Sequence, residues 1–206
     1  MPRKTKIEAE KTRERILSSA LTLFVKKGYE RTTFNDIAAR LKMTKGAVYW
    51  HFASKDALFV SLVREMLDKF SRQTHELMPK EEDLTFPAVA DMMVATASRI
   101  MEDSVGKSFF MLMFTQMKWG DASMAKVREE ILANSKESPY PTFIRAIEND
   151  KAAGRVKKDA NAVAVAAASV SVWDGLVRAA IDRMLECDLL ETLRMVYASY
   201  WNSIKA

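Results

Sequence analysis

Apolar residues recur at three- and four-residue intervals along the whole chain, and that period predicts helix after helix. Ile16, Leu17, Ala20, Leu23 and Phe24 mark one stripe of a first helix over 6–27. Lys26 and Lys27 suit the negative end of its dipole, and Gly28 is placed as the residue just past it. Thr33 is positioned to cap a second helix over 34–41, with Asp36 as the reciprocal acid and Phe34, Ile37, Ala38 and Leu41 on its inner side. After a Lys42-Met43 turn, Thr44 caps a short third helix over 45–51. Ser54 then opens a fourth, carrying Leu58, Phe59, Leu62, Met66 and Phe70 towards Met78, a rod roughly 30–35 Å long.

The segment from Pro79 to Pro87 breaks the pattern with a polar loop. Helical spacing resumes over 87–103, 107–118 and 121–135. The Pro139/Pro141 pair predicts an interruption before a helix over 141–153, which Gly154 ends. Asp159 or Asn161 opens a long helix to Glu186, and a last one covers 189–204. No alternating run of β-branched residues rises above this. The predicted fold is all-α, a three-helix N-terminal head over 1–55 joined by the long fourth helix to a larger helical body over 56–206.

Composition narrows the chemistry. Of 206 residues, 49% are hydrophobic and 29% charged, a globular balance, and six Gly with five Pro argue against a Gly-rich barrel or a linker. Cys187 is the only cysteine, which excludes an internal disulfide and fits a reducing compartment. His51 and His75 leave little for a metal site. The sequence offers no Gly-rich phosphate loop, no His pair at ligand spacing and no nucleophile with a base, so neither an enzyme nor a cofactor is expected. No targeting segment is visible. The Ala162–Trp173 stretch is too short to span a bilayer and is closed by Asp159 and Asp174, so the expectation is a cytoplasmic protein with no membrane partner.

Charge adds the decisive asymmetry. The net charge is +5, yet residues 1–55 hold 13 Lys/Arg against 5 Asp/Glu, so the excess lies wholly in the head. A basic head on a near-neutral body points to a polyanionic partner.

Two short helices across a three-residue turn, inside that basic region, have the sequence shape of a helix-turn-helix. A reading helix needs small residues where its backbone meets the groove, and Gly46 and Ala47 supply them. It needs donors for bases and phosphates, and Thr44, Lys45, Tyr49 and His51 are available. Val48 and Phe52 give it an apolar back. The helix starts near Thr33, Thr44 and Ser54 carry free N–H groups suited to phosphates, with Lys55 adding charge at the last. Arg3, Lys4 and Lys6 form a basic arm ahead of the first helix. Trp50 is expected half-buried against helix one.

The stretch TRERILSSALTLFVKKGYERTTFNDIAARLKMTKGAVYWHFASKDALF resembles the DNA-binding domain of TetR-family transcriptional repressors. Gly46-Ala47-Val48-Tyr49-Trp50-His51-Phe52 and the Thr12-Arg13…Ile16-Leu17 opening carry the likeness most specifically. The leading Arg3-Lys4-Thr5-Lys6…Glu8-Ala9 is similar to the AcrR/TtgR branch, whose members control multidrug efflux genes. The resemblance covers residues 3–60. It implies phosphate contacts at Thr44, Tyr49, His51 and Lys55, base-facing positions at Lys45, Gly46 and Ala47, and a backbone anchor at Thr33. It also implies a homodimer on a palindromic double-stranded DNA operator, released by a lipophilic small-molecule effector.

In the body, seven of thirteen methionines fall between 92 and 124, interleaved with Phe109, Phe110, Phe114 and Trp119. Flexible, polarizable side chains suit a surface that repacks around apolar ligands, although such stripes also build ordinary cores. The effector-site residues expected are Phe70, Met93, Met113, Phe114, Met117, Phe143 and Trp173, with Gln116 and Asp174 supplying polarity. Asp174 has the competing reading of a surface acid paired with Arg178 at i+4. The Ala-rich 160–173 stretch and the last helix could form half of a four-helix interface between two copies. The alternative to a DNA-binding regulator is a helical interaction module whose basic head binds an acidic protein.

Overall fold

The computed structural model describes residues 2–134 and 139–206, with side chains described for these except 2–5, 115, 116, 123 and 131–134. Ten α-helices appear among the described residues: α1 (Pro2–Lys27), α2 (Phe34–Leu41), α3 (Lys45–His51), α4 (Lys55–His75), α5 (Phe86–Glu102), α6 (Ser104–Met111), α7 (Ala125–Asn134), α8 (Pro139–Ala152), α9 (Ala162–Ile181) and α10 (Leu189–Ile204). The one β-type contact described is an isolated bridge between Val156 and Lys205.

Packing gathers the chain into two compact units, residues 1–68 with 108–135 and residues 69–107 with 136–206. In the first unit, Ile16, Phe24, Ile37, Val48, Leu58 and Phe59 are essentially sealed from solvent and form the centre of the head. Phe24, Tyr29 and Phe59 meet with ring centroids 5.0–6.0 Å apart. Trp119 adds to this cluster, 6.3 Å from Phe59, and donates its indole N–H to the Met113 carbonyl at 2.7 Å. The chain at Leu112–Gln116 winds as a π-turn rather than the continuous helix expected over 107–118.

In the second unit α9 packs against α5, α8 and α10, and α5 against α8 and α10. Phe86, Phe143, Tyr197 and Trp201 close one aromatic core, with Phe86 stacked on Trp201 at 6.1 Å. Asp150, fully buried, accepts the Phe86 N–H at 2.8 Å and the Arg155 Nε at 2.7 Å. That carboxylate thereby joins the start of α5 to the loop after α8.

Several boundaries differ from expectation. α1 begins at Pro2, so the backbone of residues 3–6 is the opening of a helix and not an arm ahead of it. α8 starts at Pro139, because prolines in a first turn remove N–H groups that no intrahelical carbonyl would take. α9 stops at Ile181, well before Glu186: Arg183 turns left-handed at φ 57, and the Met184 N–H returns to the Ala179 carbonyl at 2.8 Å. α9 also continues past Trp173, and its 20 residues are long and apolar enough to cross a membrane by length and composition. Its Ala166, Ser169, Trp173 and Val177 face is buried in the bundle, while Val163, outside that face, is exposed.

Candidate nucleic-acid interface

Each helix around the turn begins on a side-chain cap. Thr33 Oγ1 accepts the Asp36 N–H at 3.3 Å while Asp36 Oδ2 accepts the Thr33 N–H at 2.9 Å, a closed capping box. The Thr33 hydroxyl also donates to Asp36 at 2.7 Å, so both of its donors serve the cap. The N–H groups of the turn that follows remain free at this helix start. The Lys27 ammonium lies 2.5 Å from Asp36 and, with Thr33, holds that carboxyl down at about 2.

The turn closes because Lys42 takes a left-handed conformation, φ 56, and Met43 N–H bonds to the Ala38 carbonyl at 3.0 Å. Thr44 Oγ1 then accepts the Ala47 N–H at 3.2 Å, leaving its hydroxyl proton for an outside acceptor. Ser54 caps α4 in the same way, accepting the Ala57 N–H at 3.0 Å.

α3 buries Val48 and leaves its other residues exposed or half-buried. Thr44, Lys45 and Gly46 are exposed, Ala47 is half-buried, and Tyr49 is 49% exposed. The Tyr49 ring packs edge-on to Phe34 at 4.8 Å, and the Lys45 ammonium lies 5.6 Å from its centre. A Cβ built on Gly46 would meet nothing nearer than Thr44 Oγ1 at 3.9 Å, so no internal packing demands glycine there. His51 is half-buried, and burial together with the Arg13 charge lowers its imidazole below the ordinary value while Glu10 works against them.

Trp50 departs from its expected place, and Lys55 makes contacts within the head that its spacing did not show. Trp50 is 73% exposed, set edge-on to His51 at 4.6 Å, and not packed on α1. The sequence missed it because an aromatic in an amphipathic window reads as core. Lys55 is half-buried, and its Nζ donates to the Tyr29 and Glu30 carbonyls at 3.0 and 3.1 Å, so it is spent largely on the head's own packing. The side chains of Arg3 and Lys4 lie outside the described set.

The expected effector-site residues divide between the units. Met113, Phe114 and Met117 lie in the first, with the Phe114 ring 5.4 Å from Phe110 and Met117 buried. The Gln116 side chain lies outside the described set. In the second unit Met93 is buried and its carbonyl accepts the Trp173 indole N–H at 2.9 Å. Phe143, with no exposed surface, belongs to the closed aromatic core, a packing role in place of the lining one expected. Phe70 is half-buried, its ring edge 3.3 Å from where a Gly106 Cβ would stand. Asp174 is exposed by area, yet packing around it pushes its carboxyl upward. Its expected partner Arg178 pairs instead with Asp182 at 3.9 Å. An open surface depression of about 530 Å³ in this unit is lined by Gln73, Glu76, Arg99, Glu102 and Asp103, and includes none of the expected residues.

Two capped helices across a tight turn, the second presenting small residues and donors to solvent, define a helix-turn-helix DNA-binding regulator. Residues 16–62 match the model of bacterial regulatory proteins, tetR family. The HTH-type transcriptional regulator TtgR of Pseudomonas putida is 27% identical over 183 residues, covering 86% of this chain and 84% of the relative. The probable acrEF/envCD operon repressor of Escherichia coli is 46% identical over 59 residues, 29% of this chain and 27% of the relative. A SmeT–triclosan complex, SmeT being the repressor of a Stenotrophomonas maltophilia multidrug efflux pump, shares the fold with TM-score 0.78 and 22% identity, over 95% of this chain and 92% of that one. Residues 16–62 thus match the tetR family model, and the chain as a whole resembles regulators of that family in sequence and in fold.

Proposed function

We propose that this protein is a ligand-released transcriptional repressor, acting in the cytoplasm as a homodimer on a palindromic double-stranded DNA operator. The observation that carries the reading is α3, whose Gly46 face is open and flanked by Thr44, Lys45, Tyr49 and His51. Phosphate contacts fall to Thr44, Tyr49 and His51 and to the N–H groups opening α2, α3 and α4. Lys45, Gly46 and Ala47 meet the bases, and Arg3 and Lys4 add sequence-independent charge.

One short helix reads few base pairs, whereas a two-fold dimer places two about 34 Å apart on one side of the duplex. The outward sides of α9 and α10 support that assembly: Val163 is 54% and Met195 62% exposed, beside small residues such as Ala164 and Ala198. An apolar surface on a helix already half-packed suits a second copy.

The effector is a lipophilic small molecule. Met113, Phe114 and Met117 in the first unit, and Phe70, Met93, Trp173 and Asp174 in the second, are the residues proposed to respond to it, and the controlled genes are an efflux system. Triclosan, bound in the SmeT complex, is the first probe. A labelled duplex of the chain's own upstream region is expected to bind, and added triclosan to release it. A duplex that binds but stays bound under a panel of lipophilic compounds contradicts the effector half of the reading alone.

A further inference from the structure

Arg13 belongs to the Thr12-Arg13 opening that carries the family likeness, yet it has no place on the reading surface. Its guanidinium pairs with Glu65 of α4 and lies 3.6 Å from Glu10, one turn back on α1. The same group stands 5.3 Å from the centre of the Phe52 ring. Phe52 is buried and is the C-cap of α3, its N–H bonded to the Val48 carbonyl at 3.0 Å. The Arg13 side chain is 28% exposed, so it is neither a free surface cation nor a sealed one. A single planar cation thus touches α1, α4 and the last residues of the reading helix.

We propose that Arg13 is a positioning residue for operator recognition: by holding Glu65 and lying on Phe52 it fixes the end of α3, and with it Tyr49 and His51, against α1 and α4. This rests on the reading of α3 as the DNA-facing helix. Hydrogen bonds to phosphate tolerate only about half an ångström, roughly 2.7–3.2 Å between heavy atoms, so a small drift at the Phe52 end removes contacts made by residues Arg13 never touches. The role needs arginine. A guanidinium can bind a carboxylate edge-on while its face lies on a ring, whereas an ammonium is a point charge that does one or the other.

The competing account is that Arg13 is itself a phosphate contact, and two substitutions separate them. Arg13→Lys keeps the charge, so a phosphate contact would survive while the two-sided grip would not. Glu65→Gln removes an anion from the head, so simple electrostatics tightens DNA binding, whereas loss of Arg13's anchor weakens it. The groups facing His51 are Arg13 and Glu10 from α1, with Trp50 and Phe52 beside it on its own segment. Removing the Arg13 charge therefore raises the His51 titration in the free protein, a readout that general destabilisation does not produce.

The experiment measures operator affinity of the full-length chain at fixed salt by anisotropy of the labelled upstream duplex, thermal unfolding by circular dichroism, and His51 titration by NMR in Arg13→Met. Arg13→Lys and Glu65→Gln are each expected to weaken binding about five- to tenfold with melting temperatures close to wild type. His51 is expected to titrate higher in Arg13→Met. Wild-type-like binding by Arg13→Lys, or tighter binding by Glu65→Gln, overturns the proposal while leaving the repressor reading intact. A wild-type protein that does not bind the duplex overturns both.

Discussion

Lys55 donates to the backbone carbonyl of Tyr29 at 3.0 Å and lies 4.4 Å above the centre of its ring, tying the start of α4 to the turn after α1. The Tyr29 hydroxyl completes the tie by donating to Asp56, and burial together with that neighbouring charge drives its own ionisation well up. Lys55→Met is expected to lower stability by about 1 kcal/mol, since it removes the cation from the part-buried Tyr29 carbonyl at a helix junction. Urea unfolding checks this. An unchanged midpoint with weakened DNA binding would return Lys55 to a direct phosphate role.

Gly46→Leu isolates the reading face. The space around its Cβ position is open within the chain, so the substitution is expected to leave the melting temperature and the dimer unchanged. The same side chain blocks approach of α3 to the groove floor, so operator binding falls by at least about a hundredfold. Size-exclusion chromatography and anisotropy read the two halves. Loss of dimerisation in this variant would mean that α3 has been assigned the wrong surface.

The Asp36 carboxyl, held at about 2 by Lys27 and Thr33, has a folded value below its unfolded one. Its contribution to stability is therefore fully present above about pH 4 and is lost as pH falls towards 2. Melting curves of wild type and Asp36→Asn are expected to differ by a constant amount from pH 5 to 8 and to converge near pH 2. A gap that persists at pH 2 shows that the ion pair is not its source.

Asp150 and Arg155 are partners of unequal burial. Asp150 is fully buried and also holds the Phe86 N–H, while the Arg155 side chain is 49% exposed. Asp150→Ala is expected to cost about 3 kcal/mol, leaving a buried N–H unpaired, and Arg155→Ala a comparable amount, since it strips the counter-charge from a fully buried carboxylate. A near-neutral Arg155→Ala in equilibrium unfolding would contradict this.

The helices whose ends carry side-chain signals were legible in the chain. Thr33 and Thr44 cap where their spacing placed them, and α2 and α3 run over the residues predicted. α9 was read too long because its stop is conformational: Arg183 goes left-handed without a glycine, and Met184-Leu185 continues an apolar pattern. The reading helix was legible because its requirements are local: a cap, two small residues, and donors one turn apart. The effector residues were far less so. Met93 and Phe143 meet partners distant in sequence, Trp173 and Phe86 among them, and composition cannot separate a side chain that lines a cavity from one that fills a core. Trp50 was misplaced for a related reason, since burial depends on neighbours that spacing does not reveal.

The central claim is that the basic head binds DNA through α3 and through phosphates at helix starts. Its most direct test is the salt dependence of binding between the purified chain and a duplex of its own upstream region, beside a scrambled duplex. The account predicts preference for the upstream sequence and a log–log slope near −0.9 per phosphate neutralised, summing to several units over two heads. Binding that is flat with salt, or equal for both duplexes, would contradict it.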